Sequence, residues 1–426
     1  MRTGNTIFRS RTTLIYSSLT NKGDKTPNPA SFGASSQPVN ILFFLLIFIL
    51  VSASPVSAAW ADSDFDKCMN ITITNSGSKT LIDFPAYINL TYDNDMLPDF
   101  KDIRFYNASC GNGGNLLAYE IENYTTSTRA HTWARIPSLP STGRTISIYY
   151  KNNTAISSGE NATGVWDNNY VGVWHMTEAN ATDSTSNGFN ATDVKEPSTT
   201  EGWISLGVEL DQNESFNITN QTEDVIKQNG TISFWYKETD NMTQWDRFYA
   251  TENASKFAMA KYNSTQIIPT INTEDQYHDI TIDLWDDSFH YVVLTWTTES
   301  PYGKTRTFID GEPADNADKW GSWPGLSAEN FYIGGHRNES SCEGVIDEWR
   351  ISSINRTPNW INMSYLIMAN QSDYVSYGSE EARPGTWAND DLDRCMNITI
   401  TNSGSENLYN FPAYINLTYA IMEEHH

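Results

Sequence analysis

Short runs that alternate apolar and polar residues recur along this chain, and they constrain its fold more than any other feature. NITIT (70–74), TISIYY (145–150), TISFWY (231–236), YVVLTW (291–296) and TRTFID (305–310) follow a period of two. A strand sends successive side chains to opposite faces, so such a run is suited to covering a core with one of them. Gly, Pro, Asn and Asp clusters separate the runs at spacings typical of β-sandwiches. No stretch of twelve or more residues has a convincing helical period, and only a short helical turn is expected near Asn359–Leu366. The expected class is therefore all-β. Ile309-Asp310-Gly311 reads as a hairpin turn. Phe234 and Tyr236 share one face of their strand and Trp235 takes the other, so either set can meet the core. Trp174, Trp296 and Trp349 read as core residues.

A repeat divides the chain. WADSDFDKCMNITITNSGSKTLIDFPAYINLTY (60–92) returns as WANDDLDRCMNITITNSGSENLYNFPAYINLTY (387–419), at an offset of 327. Identity at this level implies duplication of a whole unit. The second copy departs after Tyr419, and about 33 residues cannot close a sandwich that the first copy builds with roughly 105. It is expected to be truncated and poorly packed. A break near 152–166 splits the unit further. The expected divisions are an N-terminal extension (1–58), a smaller sandwich (60–163), a larger one (165–380), a linker (381–386) and the truncated copy (387–426).

The N-terminus reads as an export signal. Residues 41–51, ILFFLLIFILV, are apolar throughout, and a membrane-spanning helix needs roughly 20 such residues. Val56-Ser57-Ala58 fits a signal-peptidase site, with cleavage between Ala58 and Ala59; an uncleaved signal anchor is the alternative. After it come 21 Asn-x-Ser/Thr sequons, including Asn70, Asn89, Asn107, Asn123, Asn213 and Asn229. The 41 Asn of this chain would give roughly eight by chance, so the excess reads as N-glycosylation. Asn70, on an alternating strand, should point outward. Four cysteines allow three pairings. Cys68 and Cys110 share one domain, and their bridge would close a loop of about 43 residues worth about 3–4 kcal/mol. Cys342 and Cys395 stay unassigned.

At this point the residues resemble known families. CMNITITNSG, FPAYINLTY, DIRFYN (102–107), LAYEIENY (117–124), HTWARIPSL (131–139) and TISIYYKN (145–152) make the smaller sandwich similar to the domain of unknown function 2341. GVWHMTE (172–178), GTISFWYK (230–237), TFIDGEP (307–313), YIGG (332–335) and GVIDEWRIS (344–352) make the larger part resemble the laminin-G-like, concanavalin A-like jelly roll. The resemblance implies a β-sandwich followed by a jelly roll, as in archaeal and bacterial surface proteins. It does not imply one activity.

The chemistry is sparse. A retaining jelly-roll glycosidase needs two carboxyls about 5–5.5 Å apart. The ExDxxE and ExDxE motifs are absent, and the adjacent Asp347 and Glu348 should diverge to opposite faces. No GxSxG is present. The expectation is a protein that is not an enzyme. Calcium is the one cofactor with any support. Asp183, Thr185 and Asn187 alternate before Gly188 as in an EF-hand loop, but Val194 stands where the bidentate Glu belongs. A structural Asx-turn is the competing reading. Trp320 and Trp323, in KWGSWPG, are the expected aromatic ligand contacts, because aromatic faces suit sugar stacking; His336 is a further candidate. Asp plus Glu number 52 against 27 Lys plus Arg, a net charge of −25, which argues against nucleic acid as a partner. The expected function is a secreted or surface-attached glycoprotein that binds a glycan or a surface protein, with no membrane span in the mature chain. The alternatives are a structural envelope component and an accessory module of a carbohydrate-active enzyme.

Overall fold

The computed structural model describes residues 60–384 apart from 153, 155–156, 179–180, 240–244, 281, 299–302, 315–317, 321 and 338–339, with 318–320 described in backbone only. The expected signal site at Ala58 and Ala59, Cys395 and the second copy at 387–426 lie outside the described residues.

The first sandwich uses six strands from its own segment: β1 (Lys67–Ile73), β2 (Leu81–Thr91), β3 (Arg104–Tyr106), β4 (Tyr119–Thr125), β5 (Arg129–Leu139) and β6 (Arg144–Tyr150). One sheet runs β2-β5-β4. The other has β1 at its centre, paired to β6 on one side and to Val375–Ala382 on the other. The larger sandwich therefore does not extend to residue 380, because the strand at 375–382 returns to complete the first one. β1 turns Ile71 and Ile73 into the core and exposes Thr72, as its alternation requires, while Cys68, of the other parity, is buried in a small separate cluster with Cys110 and Tyr149. Cys68 and Cys110 form the expected disulfide, and Cys342 is a buried free thiol.

The second sandwich packs a nine-stranded sheet on an eight-stranded one, all pairings antiparallel. Its larger sheet centres on Gly230–Glu238, flanked by His290–Thr297 and Gly344–Ser352; β7 (Tyr170–Trp174) pairs with the last of these. Phe234, Tyr236, Trp174, Trp296 and Trp349 point into the core between the sheets. Phe234 stacks on Trp349 with ring centroids 4.1 Å apart. The hairpin at 309–311 forms, with Asp310 and Gly311 both at positive φ. A Cβ on Gly311 would also crowd Tyr365, so glycine serves this turn twice.

The opposite face of that sheet is covered too. Trp235, Tyr291, Val293 and Phe308 belong to the same apolar cluster as the core of the first sandwich. Between them lies a helix, Pro358–Ala369, capped by the Thr357 hydroxyl. Its Trp360 meets Phe84 of β2 edge-on at 5.1 Å, and its Met368 sulfur accepts from the Trp235 indole at 3.4 Å. The sequence foresaw only a short turn here. The helix buries Trp360, Ile361, Met363, Ser364, Ile367 and Met368. These positions form one face, but Ser364 lies on it and the half-buried face opposite carries Tyr365, Leu366 and Ala369, so the contrast by which a surface helix is recognised is lost.

Candidate functional site

The junction between the sandwiches gathers the buried charge. β4 supplies Glu120 and Glu122, His175 follows β7, and Gly344–Ser352 supplies Asp347, Glu348 and Arg350. His175 Nδ1 lies 2.5 Å from Glu348 Oε1 and 3.6 Å from Glu122 Oε2, while Nε2 lies 3.3 Å from Glu120 Oε2. The indole N–H groups of Trp133 and Trp166 donate to Glu122 at 2.8 Å and to Glu120 at 3.1 Å. Ser184 Oγ donates to Glu120 at 2.6 Å. Arg350 grips Glu348 through Nε at 3.1 Å and through its terminal nitrogen. Its guanidinium lies over the Trp133 ring at 4.2 Å.

Asp347 and Glu348 do not diverge as the sequence suggested. Between Ser233 and Trp235 the pairing with Gly344–Ser352 slips by one residue, and Glu348 has φ +52°. This β-bulge lets Asp347 and Glu348 both avoid the sandwich core, while Ile346 and Trp349 point into it. Asp347 accepts the backbone N–H groups of Trp203 at 2.7 Å and Ile204 at 2.9 Å. A second bulge sits at Glu122, where β4 gains one residue on β5. Alternation cannot reveal a bulge. The usable signal was Glu120 and Glu122 at i and i+2 in LAYEIENY.

Electrostatics follow from this packing. Burial opposes ionisation of Glu348, but His175 and Arg350 outweigh it and hold its carboxyl low, at about 2. Burial, then the charge of Glu348, pushes Asp347 and Glu122 up. Burial alone would lower His175, yet Glu348 and Glu120 hold the imidazole well above its ordinary value. Beside the cluster is a cavity of about 190 Å³ lined in part by Glu120, Glu122, His175, Thr182 and Ser184.

A larger groove opens elsewhere along the junction. It has a volume of about 390 Å³ and is lined in part by Ile82, Asp83, Arg135, Asn168, Asn169 and Ile354. Its floor is rigid: Arg356 makes a two-pronged bond to Asp167, both contacts 2.9 Å, and lies over the Trp360 ring at 4.1 Å. Arg135 is held by Asp83 at 3.0 Å. Ile82 and Ile354 are exposed beside these polar groups.

None of the residues singled out from sequence lines either place, although Asp183 stands between Thr182 and Ser184 of the smaller cavity. Trp323 is half-buried and packs against the second core, 6.1 Å from Phe257, so it is not a free aromatic platform. The side chain of Trp320 is outside the description. His336 is buried, its Nε2 3.2 Å from the Glu252 carbonyl. Asp183 accepts four hydrogen bonds, from Val173 N, Thr185 N, Thr185 Oγ1 and Phe189 N. Asn187 donates to the carbonyls of Tyr170 and Val171. These two residues fasten their loop to β7, which is the Asx-turn reading rather than a calcium loop. Among the sequons, Asn229 is exposed, whereas Asn89, Asn107 and Asn213 are half-buried. Asn70 is half-buried rather than outward-facing, and its Nδ2 donates to Glu381 at 3.0 Å. The Nδ2 of Asn123 donates to Ser205 at 2.8 Å. In both, the atom that would carry a glycan is engaged. No helix among the described residues is long and apolar enough to cross a membrane.

Comparison with known proteins places the two halves. Residues 99–191 match the family described as domain of unknown function 2341. Residues 210–362 match the concanavalin A-like lectin/glucanases superfamily. No curated protein matches the chain. Among solved structures, domain 4 of AbnA, an extracellular arabinanase from Geobacillus stearothermophilus, is 13% identical with a TM-score of 0.39, over 45% of this chain and 96% of that one. The receptor-binding domain of botulinum neurotoxin mosaic serotype C/D is 16% identical with a TM-score of 0.37, over 46% of this chain and 50% of that one. The binding domain of Paraclostridial Mosquitocidal Protein 1 is 12% identical with a TM-score of 0.40, over 47% and 53%. The chain thus spans about half the length of these two toxin domains. The two family matches fall in the order of the two sandwiches: this chain carries a domain of unknown function 2341 followed by a member of the concanavalin A-like lectin/glucanases superfamily.

Proposed function

We propose that this chain is an exported surface glycoprotein that binds a glycan without transforming it, and that the glycan lies in the 390 Å³ groove between the sandwiches. The observation that carries the reading is the groove's mixed lining on a rigid floor. Sugars present hydroxyls and apolar C–H faces together. Asp83, Arg135, Asn168 and Asn169 offer donors and acceptors, and Ile82 and Ile354 offer apolar surface. The volume lies in the range of ordinary ligand clefts, about 300–1,000 Å³.

A glycan array probed with the purified protein, followed by calorimetric titration of the best binder, tests this. Arg135→Ala and Asn168→Ala should each weaken binding at least tenfold. Both side chains are partly or fully solvent-exposed, so the fold should survive. Trp323→Ala should leave affinity unchanged. Equal binding by all three variants, or no binder on the array, would defeat the proposal.

Export rests on the apolar run at 41–51, the small residues before Ala59 and the excess of sequons. Mass spectrometry of protein from its native host should find Ala59 as the mature N-terminus and Asn229 glycosylated. An intact Met1 with unmodified Asn residues would reject export.

A further inference from the structure

Two buried carboxylate oxygens in the junction cluster have no hydrogen-bond partner, Glu122 Oε1 and Asp347 Oδ1, and of these two residues Glu122 is the one that borders the cavity. Glu122 has no exposed side-chain surface, yet its Oε1 has no hydrogen-bond partner. Its Oε2 takes the Trp133 indole, and the residue borders the 190 Å³ cavity. Leaving a carboxylate oxygen both dry and unpaired is unfavourable unless something positive meets it. Glu122, His175 and Glu348 each offer a ligand atom, all within 4.8 Å of one another. Small side-chain shifts would bring three such atoms onto one ion at ordinary bond lengths of about 2.0–2.2 Å. Glu120 lies on the far side of the imidazole, 3.3 Å from Nε2. A carboxylate on that side is the arrangement found behind many metal-bound histidines; Nε2 has no hydrogen bond as it stands, and closing this gap would hold the N–H on Nε2 and leave the Nδ1 lone pair for a cation. Glu122 and Glu348 are also the two residues re-aimed by bulges.

We propose that Glu122, His175 and Glu348 bind one divalent first-row cation of the zinc or manganese kind, with cavity water completing its coordination. An imidazole nitrogen among the ligands favours such ions over calcium. A dication among these three ligands would meet two carboxylates, Glu122 and Glu348, on one side of the imidazole. The other carboxylate group, Asp93, Asp95 and Glu380, is met by the ammonium groups of Lys67 and Lys151 and makes no comparable claim. Because Glu122 belongs to the first sandwich and His175 and Glu348 to the second, the ion would pin one to the other. The inference does not rest on the glycan reading.

The test strips the protein with EDTA, then titrates ZnCl₂ and MnCl₂ calorimetrically. A His425→Ala/His426→Ala background removes the histidines of the C-terminal tail. One equivalent should bind, with a rise in Tm. Glu122→Gln and His175→Gln should each weaken binding at least tenfold, while Asp95→Asn should not. If the variants fail to fold, the Cu²⁺-loaded tail variant serves instead: pulsed EPR should show coupling to one imidazole nitrogen. No stoichiometric binding, binding that survives both substitutions, or a copper spectrum without imidazole would overturn the proposal.

Discussion

Replacing Arg350 by Met is expected to lower the stability of the protein by about 3–5 kcal/mol, the usual cost of stranding a buried charge. The Arg350 and Glu348 side chains are almost fully buried. The guanidinium holds Glu348 through two nitrogens and lies over Trp133 at 4.2 Å and Trp166 at 5.0 Å. Met fills similar volume, so the loss is electrostatic rather than a cavity. Glu348 then keeps His175 as a partner but shares it with Glu120 and Glu122. Lys at 350 should recover only part of the loss, because a point charge can neither fork onto a carboxylate nor stack on an indole. Urea unfolding of the three proteins reads this directly. A loss below about 1 kcal/mol for Arg350→Met would mean that the pair is effectively solvated.

Trp235→Ala should cost about 3–5 kcal/mol, as large aromatic truncations in a core do. The residue lies on the outer face of a sandwich sheet, which solvent commonly covers. Here it is 1% exposed. Its ring stacks on Trp203 at 4.3 Å and lies 5.3 Å from Tyr291 and 5.7 Å from Tyr365. A loss under about 1 kcal/mol in the same urea assay would show that the outer face is not a core at all.

Much of this architecture is written in the local pattern. β1 alternates at Ile71, Thr72 and Ile73 because that stretch has one face on a core, whereas β6 is buried on both faces from Ile146 to Tyr150; the shared domain of Cys68 and Cys110 was enough to pair them. TISFWY carries a subtler message. Phe234, Trp235 and Tyr236 are all buried, as expected of a strand covered on both sides, so alternation could not say which face met the core. The helix at 358–369 escaped notice because apolar Tyr365, Leu366 and Ala369 on its half-buried face blur the stripe. The return of Val375–Ala382 to β1 is a long-range pairing that no local signal encodes. The junction cluster was half legible, in the spacing of Glu120 and Glu122. The rest depends on two bulges and on the approach of segments more than 200 residues apart. Trp323 is half-buried on the second core, because a Gly/Pro-rich loop can still fold its aromatic residue inward.

The groove and the cation site both require the two sandwiches to be one body. Differential scanning calorimetry of the protein and of Trp235→Ala tests that claim most directly. The account predicts a single transition for each, with calorimetric and van't Hoff enthalpies in agreement, and the whole transition moved to lower temperature in the variant. Two resolved transitions, only one of them displaced by Trp235→Ala, would show sandwiches that unfold independently and would contradict it.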